Sequence, residues 1–175
     1  MPLQLVGILL FAAAVAIVVF YMIRTAFSFA PWVPSSTRMA RQALDFIAPS
    51  PPMRFIDLGA GDGRIVFLAA KKYGLHAYGV ELSPVPYLLS RLLQLRYRKL
   101  PITLRRQDLF TVNLSEFDII YLYGLPESLH EKLEPKLERE VRRGSYVISY
   151  NFPLKSKKPV REFHDRWRNV YVYRF

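Results

Sequence analysis

The chain has 175 residues, with 25 lysines and arginines against 14 acidic residues, and it contains no cysteine. This length fits one domain, or one small domain with an anchor, and a hydrophobic share of 51% excludes a disordered chain. The lack of cysteine excludes a disulfide scaffold, a Cys-ligated zinc site and a thiol nucleophile. The net charge of +11 predicts an anionic partner, either nucleic acid, lipid head groups or an acidic protein.

The N-terminal segment is the most apolar part of the sequence. The 21 residues from Leu3 to Ile23 carry no charge, and as a helix they would span about 30 Å, the thickness of the hydrocarbon core of a bilayer. Arginines follow this run, so the positive-inside rule places the rest of the chain on the cytoplasmic side, or on the matrix side in a mitochondrion. We therefore expect a single-pass membrane protein with its anchor at residues 1–24. A signal peptide cleaved near Ser28-Phe29-Ala30 and a buried core helix are the alternatives.

After a linker and pre-motif segment at residues 25–43, the chain alternates between strands and helices. The pattern predicts helices at 37–46, 64–73, 84–99 and 126–143, the last kinked or split at Pro135. It predicts strands at 54–58, 77–81, 102–107, 117–123, 145–150, 160–163 and 169–175. This alternation indicates an α/β domain over residues 44–175, with a parallel sheet covered by helices on both faces. Ligands in such folds bind at the carboxyl ends of the strands.

A glycine-rich turn at residues 57–63 lies at one of these strand ends. Its glycines permit positive φ angles and let a ligand approach the backbone closely. Arg64 and Val66 stand where a dinucleotide-binding fingerprint would need its third glycine. Asp57 and Asp62 would repel a pyrophosphate, and they suit a cationic ligand such as S-adenosylmethionine, which carries a sulfonium, an ammonium and no phosphate.

Two further acids follow the next two predicted strands. Glu81 ends the second strand, where its carboxylate can accept hydrogen bonds from both hydroxyls of a ribose. Asp108 follows the third strand and precedes Leu109, so an acceptor for an adenine amino group stands beside an apolar residue that can pack on the ring. Three acids in order at three strand ends favour one nucleoside-like ligand with a cationic end.

With these residues the sequence resembles the class I S-adenosylmethionine-dependent methyltransferases over roughly residues 44–175. The resemblance implies a Rossmann-like sheet of seven strands, mostly parallel, with a C-terminal antiparallel hairpin. In that family the turn at 57–63 contacts the methionine part of the cofactor, Glu81 the ribose and Asp108 the adenine. The cofactor-binding residues that it implies are Asp57, Gly59, Ala60, Gly61, Gly63, Glu81, Leu82, Asp108 and Leu109.

A narrower resemblance is to the small membrane-anchored lysine methyltransferases that modify the c-ring protein of ATP synthase and the adenine nucleotide translocase. It is carried by the apolar N-terminus and by five short motifs: Pro31-Trp32-Val33-Pro34-Ser35, residues 57–64, Glu81-Leu82-Ser83-Pro84 with Ser90-Arg91, Asp108-Leu109-Phe110 and Asn151-Phe152-Pro153. The chain departs from that pattern in its compact C-terminus, where little separates the fifth strand from the final hairpin. The resemblance implies that the substrate is a lysine of a membrane-associated protein.

The fourth predicted strand ends at the usual acceptor edge of this fold. Residues 121–126 lack the Asn/Asp-Pro-Pro-Tyr/Phe motif of enzymes that methylate planar amines, which argues against a nucleic-acid substrate. Because aromatic faces attract alkylammonium groups, we expect Trp32 and Tyr123 to line the substrate site, together with Pro34 and Gly124. The sequence assigns no catalytic residue.

The remaining polar residues predict surface contacts. His76, His130 and His164 are too far apart in sequence to indicate a metal site. The basic residues of 91–107 and 155–161 are expected to dock on anionic lipid head groups, at about 1 kcal/mol per nearby cation, with a merely solvated basic surface as the alternative.

The sequence thus predicts an S-adenosylmethionine-dependent N-methyltransferase acting on lysine of a membrane-associated protein, with membrane lipids contacted by the N-terminal helix and the basic surface. One alternative is a methyltransferase for a phospholipid amine or another small acceptor. The other is a non-catalytic, membrane-tethered binding protein.

Overall fold

The structure is a computed structural model, and it describes residues 3–26 and 35–175. The chain divides into two compact units, Met1–Val33 and Pro34–Phe175. In the first unit, helix α1 runs from Leu3 to Ala26. Among the described residues, no helix is both long enough and apolar enough to cross a membrane, so the spanning helix predicted at residues 1–24 is not found.

The second unit is built on a sheet of seven strands, as the sequence predicted. The strands are β1 Arg54–Leu58, β2 His76–Glu81, β3 Ile102–Arg106, β4 Ile119–Tyr123, β5 Tyr146–Tyr150, β6 Arg161–His164 and β7 Asn169–Arg174. Their order across the sheet is β3-β2-β1-β4-β5-β7-β6. The first five strands pair in parallel, and β7 is antiparallel to both β5 and β6. The carboxyl ends of β1 to β5 therefore share one edge, which we call the carboxyl edge.

Five helices accompany the sheet. They are α2 Thr37–Ile47, α3 Arg64–Tyr73, α4 Pro84–Gln94, α5 Pro126–Ser128 and α6 Glu134–Glu140, with a 3₁₀ turn at Leu95–Tyr97 directly after α4. Helix α2 precedes β1, and the other four connect strands. The predicted helix at 126–143 is broken, because a π-helical turn occupies Leu129–Leu133 and the helix ends at Glu140. Pro135 has no N–H to donate and its ring crowds the carbonyl four residues earlier, which a wider turn accommodates.

Helices α2 and α3 cover one face of the sheet. The side chains of that face include Phe55, Tyr121, Ile148 and Tyr150, and they form one core with the buried residues of the two helices. The helix residues in this core are Met39, Ala40, Ala43, Leu44, Ile65, Val66, Phe67, Ala69 and Ala70. The sequence-based domain boundary at residue 44 therefore falls within α2, whose residues before that boundary already contribute to the core.

Candidate active site

The turn after β1 forms a cradle at the carboxyl edge. Gly59, Gly61 and Gly63 have φ angles of +87°, +56° and +80°, a conformation that residues with a Cβ rarely adopt. The backbone N–H groups of Gly59 and Ala60 both donate to the Val80 carbonyl, each at 2.9 Å, and so fix the turn against β2. A Cβ added at Gly59 would meet no atom within 4 Å. The turn therefore borders open space into which a ligand can fit.

Asp57 places a buried carboxyl group beside this turn. Its side chain is only 4% exposed, and within the described residues no hydrogen bond to its carboxylate is found. Burial, together with the nearby charges of Glu81 and Asp62, raises the pKa of Asp57 well above its ordinary value. Across residues 3–26 and 35–175 no ion pair neutralises this carboxyl group, so it fits a positively charged ligand group.

Glu81 connects the turn after β1 with the start of α4. One carboxylate oxygen accepts from the Gly61 N–H at 2.9 Å, and the other accepts from the Ser83 N–H at 2.7 Å. Each carboxylate oxygen has two lone pairs, so one on each remains for a further donor. Glu81 is therefore oriented in advance to accept two hydroxyl groups, as a ribose would offer.

Asp62, by contrast, has its charge neutralised within the turn. Its carboxylate receives the Arg64 side chain on both oxygens, with a shortest nitrogen–oxygen distance of 2.6 Å. Asp62 was expected to add a second negative charge against phosphate, but its ion pair with Arg64 removes most of that effect. Asp57 and Glu81 are the acids that give the site its negative character.

Asp108 and Leu109 lie at the same edge, after β3. The Asp108 side chain is exposed and accepts from the Phe110 N–H at 2.9 Å, while Leu109 is buried. Leu82 is exposed next to them, and its carbonyl accepts from the Arg106 side chain at 3.3 Å. Because β2 and β3 are neighbours, an exposed acceptor and two aliphatic side chains lie near Glu81, an arrangement that suits a purine ring.

The acceptor side of the edge is aromatic. Tyr123 ends β4, its ring stacks on Phe152 at a centroid distance of 6.2 Å, and it meets Tyr150 edge-on at 6.0 Å. Burial and the neighbouring Tyr150 raise the pKa of Tyr123. Gly124, which follows Tyr123, is buried. The other two predicted substrate residues, Trp32 and Pro34, lie outside the described residues.

Sequence reasoning missed Tyr121 at this site. It pairs with Asp57 across β1 and β4, and within the described residues its buried hydroxyl has no hydrogen bond of normal geometry. Burial raises the pKa of Tyr121 well above its ordinary value, and the nearby Ser35 side chain opposes this shift. The only sequence clue was its position in the apolar strand next to the glycine turn.

Two of the three histidines have structural partners. His130 pairs with Glu134, and His164 contacts Asn169 at 2.8 Å. Across residues 3–26 and 35–175, no group of three or more His, Cys, Asp or Glu side chains has the arrangement of a metal site.

Comparison with known proteins identifies the domain. Residues 57–161, from Asp57 at the glycine turn to the start of β6, match the family described as the ANTKMT methyltransferase domain. The chain belongs to this family. S-adenosylmethionine is the cofactor of this methyltransferase domain, and the cationic end of that molecule suits the buried carboxylate at residue 57.

Characterised relatives extend the comparison. The chain is 35% identical to the adenine nucleotide translocase lysine N-methyltransferase of Mus musculus, over 82% of this chain and 62% of that protein. It is 31% identical to a protein-lysine N-methyltransferase of Saccharolobus islandicus, over 82% of this chain and 91% of that protein. It is 32% identical to the human lysine N-methyltransferase named for the c-ring protein of ATP synthase, over 82% of this chain and 60% of that protein. The chain thus spans about three fifths of the length of the two mammalian relatives.

A solved structure shares the fold. An RNA methyltransferase from Salinibacter ruber, in complex with S-adenosyl-L-homocysteine, superposes with a TM-score of 0.74 at 29% identity. The match covers 81% of this chain and 93% of that one. It confirms the class I methyltransferase fold that the sequence predicted.

Proposed function

We propose that this protein is an S-adenosylmethionine-dependent protein-lysine N-methyltransferase whose substrate is a membrane-associated protein. The observation that carries the proposal is the buried carboxyl group of Asp57 at the rim of an open glycine turn, where it has no ion-pair partner in the described part of the chain. Family membership supports methyl transfer. The names of the mouse, human and archaeal relatives support lysine as the acceptor.

Each part of the cofactor has a matching group at the carboxyl edge. Asp57 and the turn residues Gly59, Ala60, Gly61 and Gly63 would hold the methionine part, and the free lone pairs of Glu81 would accept the ribose hydroxyls. Asp108 would accept from the adenine amino group, with Leu82 and Leu109 against the ring. When bound, the cofactor supplies a methyl group on a sulfonium, so the protein has only to align the acceptor for in-line displacement.

The aromatic side of the edge suits an amine acceptor. A lysine must lose its proton before it can attack, and a low-dielectric environment favours the neutral amine. We propose that Tyr123 and Gly124, with Tyr150 and Phe152 behind them, provide that environment and exclude water. Trp32 and Pro34 remain proposed contributors from the segment before α2.

We further propose that α1 associates with the lipid bilayer. Its side chains from Leu5 to Phe11 include large apolar groups that are 42–72% exposed: Leu5, Val6, Ile8, Leu9, Leu10 and Phe11. Six such groups within two helical turns are costly to leave in water. This association would bring the enzyme to the membrane that holds its substrate.

Cofactor binding tests the first part of the proposal. We expect calorimetric titration with S-adenosylmethionine to give at least a tenfold loss of affinity for Glu81→Ala, because two charge-assisted hydrogen bonds are lost. Glu138→Ala, which removes an exposed acid of α6, is the matched control and should bind as the wild type does. Equal affinities in Glu81→Ala and the wild type would refute the assignment of this edge.

Transfer of a labelled methyl group identifies the acceptor. Membranes from cells that lack the gene are incubated with the purified protein and methyl-labelled cofactor, and protein, lipid and RNA fractions are counted separately. We expect label in protein, abolished when lysines are chemically blocked. Label in the lipid extract would instead indicate a phospholipid amine, and label in RNA would indicate the activity named for the Salinibacter ruber relative. Cofactor binding without any labelled product would indicate a tethered binding protein.

A further inference from the structure

Helix α4 carries apolar side chains on two faces, although one face suffices for its packing. Its inner face contacts the domain through the buried Pro86 and Ser90, and through Tyr87 and Leu93, which pack against the core. The outer face is a second apolar row, which we call the α4 stripe: Val85, Leu88, Leu89, Leu92 and Leu95, with exposed fractions of 61%, 60%, 39%, 57% and 54%. Their spacing of three and four residues places them on one side of the helix.

The chain segment that carries the α4 stripe is rich in positive charge. Between Glu81 and Asp108 the chain contains no acidic residue and six basic ones, which we call the α4 cations: Arg91, Arg96, Arg98, Lys99, Arg105 and Arg106. All six are exposed, and none forms an ion pair within the described part of the chain. The surface therefore combines aliphatic groups with unneutralised cations.

The position of the stripe relates it to the carboxyl edge. Helix α4 starts three residues after Glu81, and it packs against β2 and β3. Strand β3 is the outermost strand of the sheet on this side. A planar surface that meets α4 would therefore lie beside the edge that carries the cofactor-binding acids.

We infer that the α4 stripe and the α4 cations form a docking surface for an anionic lipid bilayer, with α4 lying in the plane of the interface. A helix with exposed leucines on one side and arginines and lysines around them inserts its apolar side chains below the head groups, while its cations pair with lipid phosphates. Charge complementarity favours this occupant. A second copy related by two-fold symmetry would bring the same cations together, and RNA would leave the leucines in water.

The consequence for catalysis rests on the proposed function. A bilayer that holds α4 would turn the carboxyl edge toward the head groups, where lysines of membrane proteins emerge. The docking surface itself needs neither cofactor nor substrate, so it is testable on the full chain without a methylation assay.

The lack of cysteine permits a site-specific test. In the full-length chain, Val85→Cys and Leu92→Cys each introduce a single thiol into the α4 stripe, and an environment-sensitive nitrobenzoxadiazole label is attached there. Glu138→Cys, at an exposed position of α6, is the matched control. Emission is recorded with vesicles of phosphatidylcholine alone and with vesicles that also contain phosphatidylglycerol. Tethering by α1 would affect all three labels alike.

We expect a blue shift of emission at residues 85 and 92 with the anionic vesicles, a smaller shift with phosphatidylcholine alone, and none at residue 138. The inference is overturned by unshifted labels in α4, by equal shifts with both vesicles, or by a shift without vesicles, which would mean that protein already covers the stripe. Activity measured in parallel on lysine substrates reports separately on the proposed function.

The cations are tested in the same background. Adding Arg96→Gln, Arg98→Gln and Lys99→Gln to the labelled Leu92→Cys protein leaves the stripe intact and removes three charges. Each cation near an anionic surface contributes about fivefold in affinity, so the half-maximal shift should require substantially more phosphatidylglycerol. An unchanged lipid requirement would show that the cations take no part in docking.

Discussion

Asp57 lies near the end of β1, with its carboxyl group buried beside the charges of Glu81 and Asp62. In water such a group has a pKa of 3.8 and is ionised at neutral pH, but burial and these neighbours raise the pKa and favour the protonated form. The folded protein therefore holds a carboxyl group whose ionisation is costly until a cation binds. In the proposed cofactor site this arrangement would lower stability in exchange for affinity, as functional sites often do.

Replacing Asp57 by asparagine should separate the effect of this carboxyl group on folding stability from its effect on cofactor affinity. The folded-state pKa lies above the unfolded one, so the folded state binds more protons and the free energy of unfolding decreases as pH rises through that range. We expect Asp57→Asn to unfold at a higher temperature at pH 8, by about 2–4 °C for each 1 kcal/mol gained, yet to bind S-adenosylmethionine at least tenfold more weakly. Thermal scans at pH 5 and pH 8 and calorimetry measure both; a variant that loses both stability and affinity would contradict this account.

Gly79 is a residue whose role only the packed structure reveals. A Cβ there would lie 2.8 Å from side-chain atoms of Leu104 and Val66 and 2.9 Å from Ala60. We expect Gly79→Ala to lower the free energy of unfolding by about 1–3 kcal/mol through overpacking. Adding Val66→Ala should recover part of the loss, since it removes one clashing methyl group. Urea denaturation of the two single variants and the double variant measures this coupling. If the double variant loses the sum of the two single losses, the clash is not the cause.

The acids at strand ends were predictable from the sequence, but the side chains that each of them contacts in the fold were not. Glu81 and Asp108 follow apolar strands, and parallel strands bring their carboxyl ends together. Tyr121 was missed because a strand buried on both faces shows no alternation that tells which side chains face the site. The pairing of Asp62 with Arg64 also needed coordinates, since neighbouring charges in a turn need not meet.

Among the elements, α6 holds the segment between β5 and β6 in place through hydrogen bonds. Glu134, at the start of α6, is buried and accepts from the backbone N–H groups of Lys155 and Ser156 at 2.7 and 2.9 Å and from the Ser156 hydroxyl at 2.9 Å. Burial opposes its ionisation, but the hydrogen bonds from Ser156, His130 and Lys155 outweigh this and hold the pKa of Glu134 below its ordinary value. One side chain thus orders the segment that follows the aromatic part of the site.

Glu134→Gln should loosen this segment. It replaces a carboxylate that accepts several hydrogen bonds. We therefore expect the free energy of unfolding to fall by about 1–3 kcal/mol at pH 7. Because the folded-state pKa is lowered, this stabilisation is present above the ordinary value of 4.5 and is lost as pH falls below it. The difference in stability between the wild type and Glu134→Gln should accordingly shrink between pH 6 and pH 3. Hydrogen exchange at residues 155 and 156 checks the location, and a pH-independent difference would contradict the mechanism.

Element prediction succeeded where periodicity was clear and failed at element ends. The strands and α3 agree with prediction to within two residues, because apolar runs and glycine caps mark them. The helix after Pro126 is split near Pro135, as predicted, but it ends at Glu140 rather than at residue 143, and the recurring leucines do not reveal the π-helical turn at Leu129–Leu133. Nor does it distinguish the buried side of α4 from its exposed apolar side.

For the whole molecule, ligand binding and folding stability are linked. A cofactor that binds only the folded state raises the free energy of unfolding by about 2.7 kcal/mol when its own concentration is 100 times its Kd. For a domain of this size that increase raises Tm by roughly 5–10 °C. We expect S-adenosylmethionine and S-adenosylhomocysteine to produce such a shift in differential scanning fluorimetry. NAD and ATP serve as controls, because the carboxyl edge presents acids where they carry phosphates; a comparable shift with either would argue against a cofactor site of this kind.

The order of the sheet also bears on how the chain is made. Strand β7 is the last of the seven along the sequence, yet it lies between β5 and β6. While a ribosome is still synthesising residues before 169, β5 lacks its outer neighbour and β6 has no strand to pair with. Closure of the sheet is therefore a late event of biosynthesis, and a nascent chain stalled before β7 would expose an unpaired strand edge to chaperones and to aggregation.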